Sequence, residues 1–244
     1  MHPLLEALVK LLFPTHPGCQ LCGSVTGDSE GICPSCRGWL AGWAKQPHCR
    51  VCGRPLGSRH RRPSSLCPAC HRQPPPFELA RAVGPYEGVL RQAIHLFKFK
   101  GRKSLAPLLA CLMVELIQQQ LPLAQCEAIL PVPLSRQRQW ERGYNQAELL
   151  AKEVARGLKL PLLRETLIKY KETPPQTGLP REERKQNLKD AFLLKGPAAD
   201  IFGRNLLLID DVFTTGSTAS TIAETLKAAG AGKIFVITLA NAGK

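Results

Sequence analysis

The sequence predicts an α/β fold, a parallel sheet flanked by helices, preceded by a small cysteine-rich module. Three observations predict it. Strand-length apolar runs alternate with helix-length amphipathic stretches from residue 127 to 240. One of those runs, Leu206–Ile209, leads through a Gly-containing turn into a helix over Ser217–Ala229. Eight of the ten cysteines stand as CxxC pairs before residue 71, in a stretch that lacks any long apolar period.

Taken in order, Leu4, Leu5, Leu8, Leu11 and Leu12 recur at helical spacing and predict a short amphipathic N-terminal helix. Glu6 and Lys10 interrupt it and no small-residue cleavage site follows, so it does not read as a secretion signal. No run approaches the ~20 apolar residues that span a membrane. A cytoplasmic, reducing location is expected, where paired CxxC motifs favour metal over disulfides. Arg72-Gln73-Pro74-Pro75-Pro76 reads as a stiff linker. The expected division is therefore 1–76, an N-terminal helix with the cysteine module, and 77–244, the α/β domain. Residues 77–126 carry helical periodicity, with Leu90, Ile94 and Phe97 on one face and Leu105, Leu108, Leu109, Leu112, Leu116 and Ile117 on another. Strands are expected at Ala128–Val132, Leu162–Ile168, Ala191–Leu194, Leu206–Ile209 and Lys233–Leu239, with a helix at Asn145–Leu158.

The chain has 244 residues, 44% of them apolar, which suits one α/β domain plus a small module and excludes a disordered chain. Its formal net charge of +14 suits phosphate-rich partners, nucleic acid or a polyphosphorylated small molecule. A solvated basic surface explains the same charge. Aromatic residues are only 6% of the chain, and Trp39, Trp43 and Trp140 form no evident array, which weakens a base-stacking mode.

The segment Leu206–Thr218 carries the most chemistry. Its apolar run ends in Asp210 and Asp211, followed by Thr214-Thr215-Gly216-Ser217-Thr218 and a helix. A strand-to-helix loop lies where open α/β sheets bind ligands. Its hydroxyls, the dihedral freedom of Gly216 and the positive end of the helix suit a phosphate. A turn with a Ser/Thr helix cap explains the hydroxyls but not two acids on an apolar strand. Vicinal sugar hydroxyls explain the acids, and a 5-phosphorylated ribose supplies both halves. The GxxxxGK[ST] loop is absent, which argues against a nucleoside triphosphatase.

This segment resembles the signature of type I phosphoribosyltransferases. The resemblance implies that Asp210 and Asp211 hold the ribose 2- and 3-hydroxyls of phosphoribosyl pyrophosphate (PRPP), that Thr214, Thr215, Gly216, Ser217 and Thr218 bind its 5-phosphate, and that Mg²⁺ accompanies the pyrophosphate. The reaction implied is displacement of pyrophosphate at the anomeric carbon through an oxocarbenium-like transition state, with the protein positioning the reactants.

The cysteine pairs are Cys19/Cys22, Cys33/Cys36, Cys49/Cys52 and Cys67/Cys70. Two CxxC turns complete one Cys₄ metal site, so two structural Zn²⁺ are expected. Sequential and interleaved pairing are both open, and thiol exchange is the rival role. Gly23 and Gly53 follow their pairs at once, as a tight knuckle needs.

Two further segments sharpen the picture. One is Leu130-Pro131-Val132-Pro133-Leu134 with Arg136, Arg138 and Arg142-Gly143-Tyr144-Asn145-Gln146-Ala147. The other is Gln176-Thr177-Gly178-Leu179 with Arg181, Arg184 and Asn187. With the cysteine module and the acidic strand end, this order resembles the ComF/ComFC family, whose members include GntX-like DNA-utilisation proteins, over nearly the whole chain. The resemblance implies a type I phosphoribosyltransferase-like sheet behind a double zinc ribbon. It places a pyrophosphate loop at Val132 to Arg142, with Val132, Pro133 and Arg142 as contacts. It makes Lys169 to Asn187 a closing lid and Arg184 its catalytic contact. Arg142 pairing locally with Glu141 or Glu148 is the alternative. Lys98 is either a phosphate contact or part of a solvated face. The function implied is a PRPP-binding, phosphoribosyltransferase-like protein of competence, DNA uptake and DNA utilisation. Single-stranded DNA, and DNA-uptake or helicase proteins, would be its partners. A nucleic-acid-binding protein that only senses PRPP, and a nucleobase salvage enzyme, are the alternatives.

Overall fold

A computed structural model describes residues 18–24, 31–56, 65–120, 125–170 and 191–243. The expected N-terminal helix, the arginine-rich stretch Arg59, Arg61 and Arg62 between two cysteine pairs, and the expected lid residues Gln176, Arg181, Arg184 and Asn187 lie outside the described residues.

The central sheet has four parallel strands in the order β1-β6-β5-β2, where β1 is Leu79–Pro85, β2 Ala128–Pro131, β5 Leu206–Phe213 and β6 Ile234–Asn241. The two middle strands are nearly continuous apolar runs, as a parallel sheet covered on both faces requires. Leu206 to Ile209 and Ile234 to Ile237 are fully buried or nearly so. Leu207, Ile209, Phe235 and Ile237 face one core, and Leu206, Leu208, Ile234 and Val236 face the other. That is the period-2 alternation of a strand buried on both sides.

The first core is roofed by α3 (Gly88–Phe99), α4 (Ala106–Gln120) and α6 (Gln146–Leu158). Leu90, Ile94 and Phe97 of α3 are buried as expected from periodicity; of the second expected face, Leu105, Leu109, Leu112 and Ile117 are buried, while Leu108 and Leu116 are half-buried. The second core is covered by α7 (Ser217–Ala228) through Ala219, Ile222, Ala223 and Leu226. Between β2 and α6 lies the short helix α5, Arg136–Arg142, with no buried residue of its own.

Three expectations change. β1 is a strand where only helices were expected. Its sequence LARAVGP has no clean alternation, yet it pairs in parallel with β6 from Leu79↔Phe235 to Pro85↔Asn241. β5 does not stop at Ile209. Its ladder with β6 continues through Asp210↔Thr238 to Phe213↔Asn241, so both acids lie within the strand. The expected strand Leu162–Ile168 is split. Leu162 makes one parallel bridge to Ile129, and Leu167–Lys169 (β3) pairs antiparallel with Phe192–Leu194 (β4) in a separate two-stranded sheet.

The cysteine module packs onto the sheet. Cys33, Cys36 and Leu40 join the first core, while Cys49, Cys67 and Cys70 join the second. β1 is an edge strand, and the module covers part of its open side, with the Ala80 N–H donating to the Val51 carbonyl at 2.6 Å.

Candidate functional site

β2 and β5 run parallel, so their carboxyl ends open on the same side of the sheet. There a cavity of about 850 Å³ is lined by Val132 and Pro133 after β2, and by Asp210 and Asp211 of β5. Thr214 and Thr218 follow β5, and Arg138 and Arg142 of α5 close another side. Seven of the ten residues expected to contact the ligand therefore meet at one concavity: Val132, Pro133, Arg142, Asp210, Asp211, Thr214 and Thr218. Gly216 lines a small adjoining void. Thr215 and Ser217 bond to each other through their hydroxyls at 2.8 Å, and the Thr215 hydroxyl also accepts from the Ser217 N–H at 3.4 Å. They shape the turn from inside. Gly216 caps α7 with φ +81°, and a Cβ there would lie 2.6 Å from Phe213 Cζ. Both the dihedral and the space demand glycine.

The two acids are held differently. Asp211 pairs with Lys98 at the end of α3, Nζ to Oδ1 2.7 Å, and both side chains are nearly buried. Lys98 is thus neither free nor solvated, but the counter-ion of the second acid. Asp210 accepts the Asp211 N–H at 2.8 Å. Its carboxyl is pushed up to about 7 by burial and by the Asp211 charge, against the opposing pull of Lys98 and Arg142. The site therefore holds one carboxylate paired with a lysine beside one that takes up a proton near neutrality. Sequence reasoning named Lys98 without giving it this role. The signal was its place at the C-terminal end of an amphipathic helix, which does not reveal where the helix ends in space.

The segment Arg142–Ala147 is explained residue by residue. Arg142 donates to Gln146 Oε1 at 3.0 Å and stacks over Phe99, its guanidinium carbon 5.0 Å from the ring centre. Its local partner is thus Gln146, where Glu141 or Glu148 was the expected alternative. Gly143 ends α5 in the left-handed region at φ +72°. Tyr144 is buried and donates its hydroxyl to the Phe97 carbonyl, pinning the connection to α3. Asn145 caps α6 by accepting from the Ala147 N–H at 3.0 Å, and donates to the Val132 carbonyl at 3.0 Å. Val132–Arg142 is accordingly not one loop. It is a short turn followed by α5. Of its three cations, Arg138 and Arg142 reach this cavity and Arg136 lines a neighbouring one of about 680 Å³.

The cysteines form two groups in sequence order: Cys19, Cys22, Cys33 and Cys36, then Cys49, Cys52, Cys67 and Cys70. The interleaved alternative does not hold. The sulfurs of Cys19 and Cys36 are 3.8 Å apart, those of Cys22 and Cys33 3.7 Å, and those of Cys52 and Cys67 3.6 Å. A tetrahedron with ~2.3 Å metal–sulfur bonds has edges of about 3.8 Å, whereas a disulfide needs about 2.05 Å. Both halves share one construction. The first CxxC turns on a glycine, Gly23 at φ +78° or Gly53 at φ +64°. The second opens a helix, α1 (Pro34–Ala44) or α2 (Pro68–Arg72), with cysteine as N-cap and proline at the first position. The Cys36 and Cys70 N–H groups donate to the cap sulfurs at 3.4 and 3.5 Å.

Residues 8–71 match the model of the double zinc ribbon domain. Over 226 residues the chain is 37% identical to Competence protein F of Haemophilus influenzae, covering 90% of this chain and 94% of that one. The chain belongs to the ComF/ComFC/YhgH family. Other ComF-family relatives are DNA utilization protein YhgH of Escherichia coli K12, 32% identical over 89% of this chain and 87% of that one, and Competence protein ComFC of Bacillus subtilis, 28% identical over 78% and 75%. Among solved structures, a purine phosphoribosyltransferase from Pyrococcus horikoshii aligns at TM-score 0.34 and 17% identity, over 55% of this chain and 69% of that one. Adenine phosphoribosyltransferase of Saccharomyces cerevisiae aligns at 0.32 and 16%, over 53% and 68%. Among the described residues, no helix is long and apolar enough to cross a membrane.

Proposed function

We propose that this ComF-family chain binds PRPP with Mg²⁺ in the cavity at the carboxyl ends of β2 and β5, and serves the uptake and utilisation of DNA as a cytoplasmic phosphoribosyltransferase-like protein that handles single strands. The observation that carries the ligand is the placing of two acids, two threonines and two arginines around one cavity. Asp210 and Asp211 accept from the ribose 2- and 3-hydroxyls. Thr214 and Thr218 bind the 5-phosphate by their hydroxyls, on a turn shaped by Thr215, Gly216 and Ser217. Val132, Pro133 and Arg142 hold the pyrophosphate. Arg184, in the segment between β3 and β4, supplies a further cation to the leaving charge. Mg²⁺, arriving with the ligand, supplies charge neutralisation to the pyrophosphate. Lys98 pairs with Asp211 and fixes it in place, so the site is partly organised before the ligand arrives.

The DNA role draws on the relatives named for competence and DNA utilisation. It also draws on the +14 charge, on exposed Phe99 beneath Arg142, and on exposed Tyr170, which lines a cavity together with Arg136. The expected division near residue 76 stands as part of this proposal: the two Cys₄ clusters hold Zn²⁺ and brace the α/β domain.

Incubation with PRPP, Mg²⁺ and a panel of nucleobases, scored by pyrophosphate release, tests the transferase reading. Release with one acceptor class supports turnover. PRPP binding without release from any acceptor makes the chain a PRPP sensor, and release with a common base makes it a salvage enzyme.

A further inference from the structure

The second cysteine cluster and the candidate ligand turn meet at one side chain. Gly53, which directly follows Cys52, lies flush on β1. A Cβ at Gly53 would come within 2.5 Å of the Ala80 carbonyl oxygen, and Arg81 Nη2 donates to the Arg50 carbonyl at 2.9 Å. Asn241, the last residue of β6, is buried. Its Nδ2 donates to the Gly53 carbonyl at 3.3 Å and its Oδ1 accepts from the Gly243 N–H at 2.8 Å. Its own carbonyl accepts the Tyr86 N–H at 2.9 Å, and the next residue, Ala242, donates to the Phe213 carbonyl at 2.8 Å. Tyr86, Thr214 and Ala242 all line the cavity. Gly243 is wedged in the same place: a Cβ there would meet Arg54 Nε at 3.0 Å and the Thr214 carbonyl oxygen at 3.2 Å. Phe213, the register partner of Asn241, in turn supports Gly216.

We propose that Asn241 is a positioning residue that couples the second Cys₄ cluster to the ligand turn, so that metal in the one and phosphorylated ligand in the other stabilise each other. The partners on the two sides are backbone groups fixed by the fold, a carbonyl at the knuckle and an N–H after β6, and the amide of Asn241 bridges them with its donor facing the knuckle and its acceptor facing the chain after β6. Asp at this position keeps the acceptor and loses the donor. Coupling of this kind is reciprocal, so ligand slows metal loss if metal favours ligand. The inference rests on the PRPP reading above.

The test is zinc release from the full-length, zinc-loaded protein to 4-(2-pyridylazo)resorcinol, with and without saturating PRPP and Mg²⁺, alongside PRPP calorimetry. In the wild type, PRPP is expected to slow release of one of two zinc ions about fivefold or more, leaving the other unchanged. In Asn241→Ala and Asn241→Asp, both ions are retained, PRPP affinity falls about tenfold, and the protection disappears. PRPP that binds the wild type but leaves both release rates unchanged overturns the coupling, as does protection that survives in the variants. If Asn241→Ala fails to fold, the wild-type comparison decides alone. No PRPP binding to the wild type overturns the underlying reading and the coupling with it.

Discussion

At Asp210, burial and the neighbouring Asp211 charge lift the carboxyl from its ordinary 3.8 to about 7. Folding therefore favours the protonated form. The cost of ionising it in the folded chain grows as pH rises through that interval and is complete above about 7. Asp210→Asn keeps an acceptor for the Asp211 N–H and removes the charge. Without ligand, it is expected to melt with the wild type near pH 4 and above it at pH 8. A constant difference across a thermal-melt series in pH contradicts the assignment. Lys98 is the complementary case. Lys98→Met leaves Asp211 nearly buried without its counter-ion, a loss of roughly 2–4 kcal/mol, somewhat below a fully buried pair because both groups border the cavity. Adding Asp211→Asn should recover much of it, and a double-mutant cycle in denaturant measures the coupling. Additive effects of the two changes would show that the pair does not interact. The acids, the hydroxyls and Gly216 are legible in sequence because they are contiguous. The Lys98 pairing is not, because it joins a helix end to a strand end far along the chain.

At the scale of elements, the connection between α5 and α6 turns a sequence motif into geometry. Asn145 both caps α6 and holds the Val132 carbonyl, so it fixes the end of β2 against the helix that follows. Asn145→Ala is expected to cost about 1–2 kcal/mol of stability, by chemical denaturation, and to weaken PRPP binding as well. A loss of stability with ligand affinity untouched would confine Asn145 to capping. The motif was legible as a motif, but its division of labour between Arg142 in the cavity and Gly143, Tyr144 and Asn145 in the scaffold needs the packing. Strand lengths were legible only where burial wrote them. Charge at Asp210 and Asp211 interrupts the apolar run of β5, yet hydrogen bonding to β6 carries the strand on to Phe213. Arg81, Gly84 and Pro85 hide β1 in the same way, since an edge strand braced by a cysteine module need not alternate.

For the whole molecule, the spacing of the cysteines was fully legible as two Cys₄ sets but not their pairing order, which the folded chain resolves as sequential. Nor does spacing show that Cys33, Cys36 and Leu40 share a core with Leu90, Phe97 and Leu109. Because of that shared packing, stripping the metal with a strong chelator is expected to lower the melting temperature of the entire chain in one transition, with about two zinc released per chain. Release of two zinc without any change in melting would make the module an independent appendage. The basic surface makes its own prediction: affinity for single-stranded DNA should fall steeply between about 50 and 200 mM salt. The most direct measurement of the central claim is calorimetric titration of PRPP with Mg²⁺ into the wild type and into Asp210→Asn/Asp211→Asn. The account predicts saturable binding of one PRPP per chain in the wild type and none in a folded double variant. Equal affinity in the two proteins would contradict it.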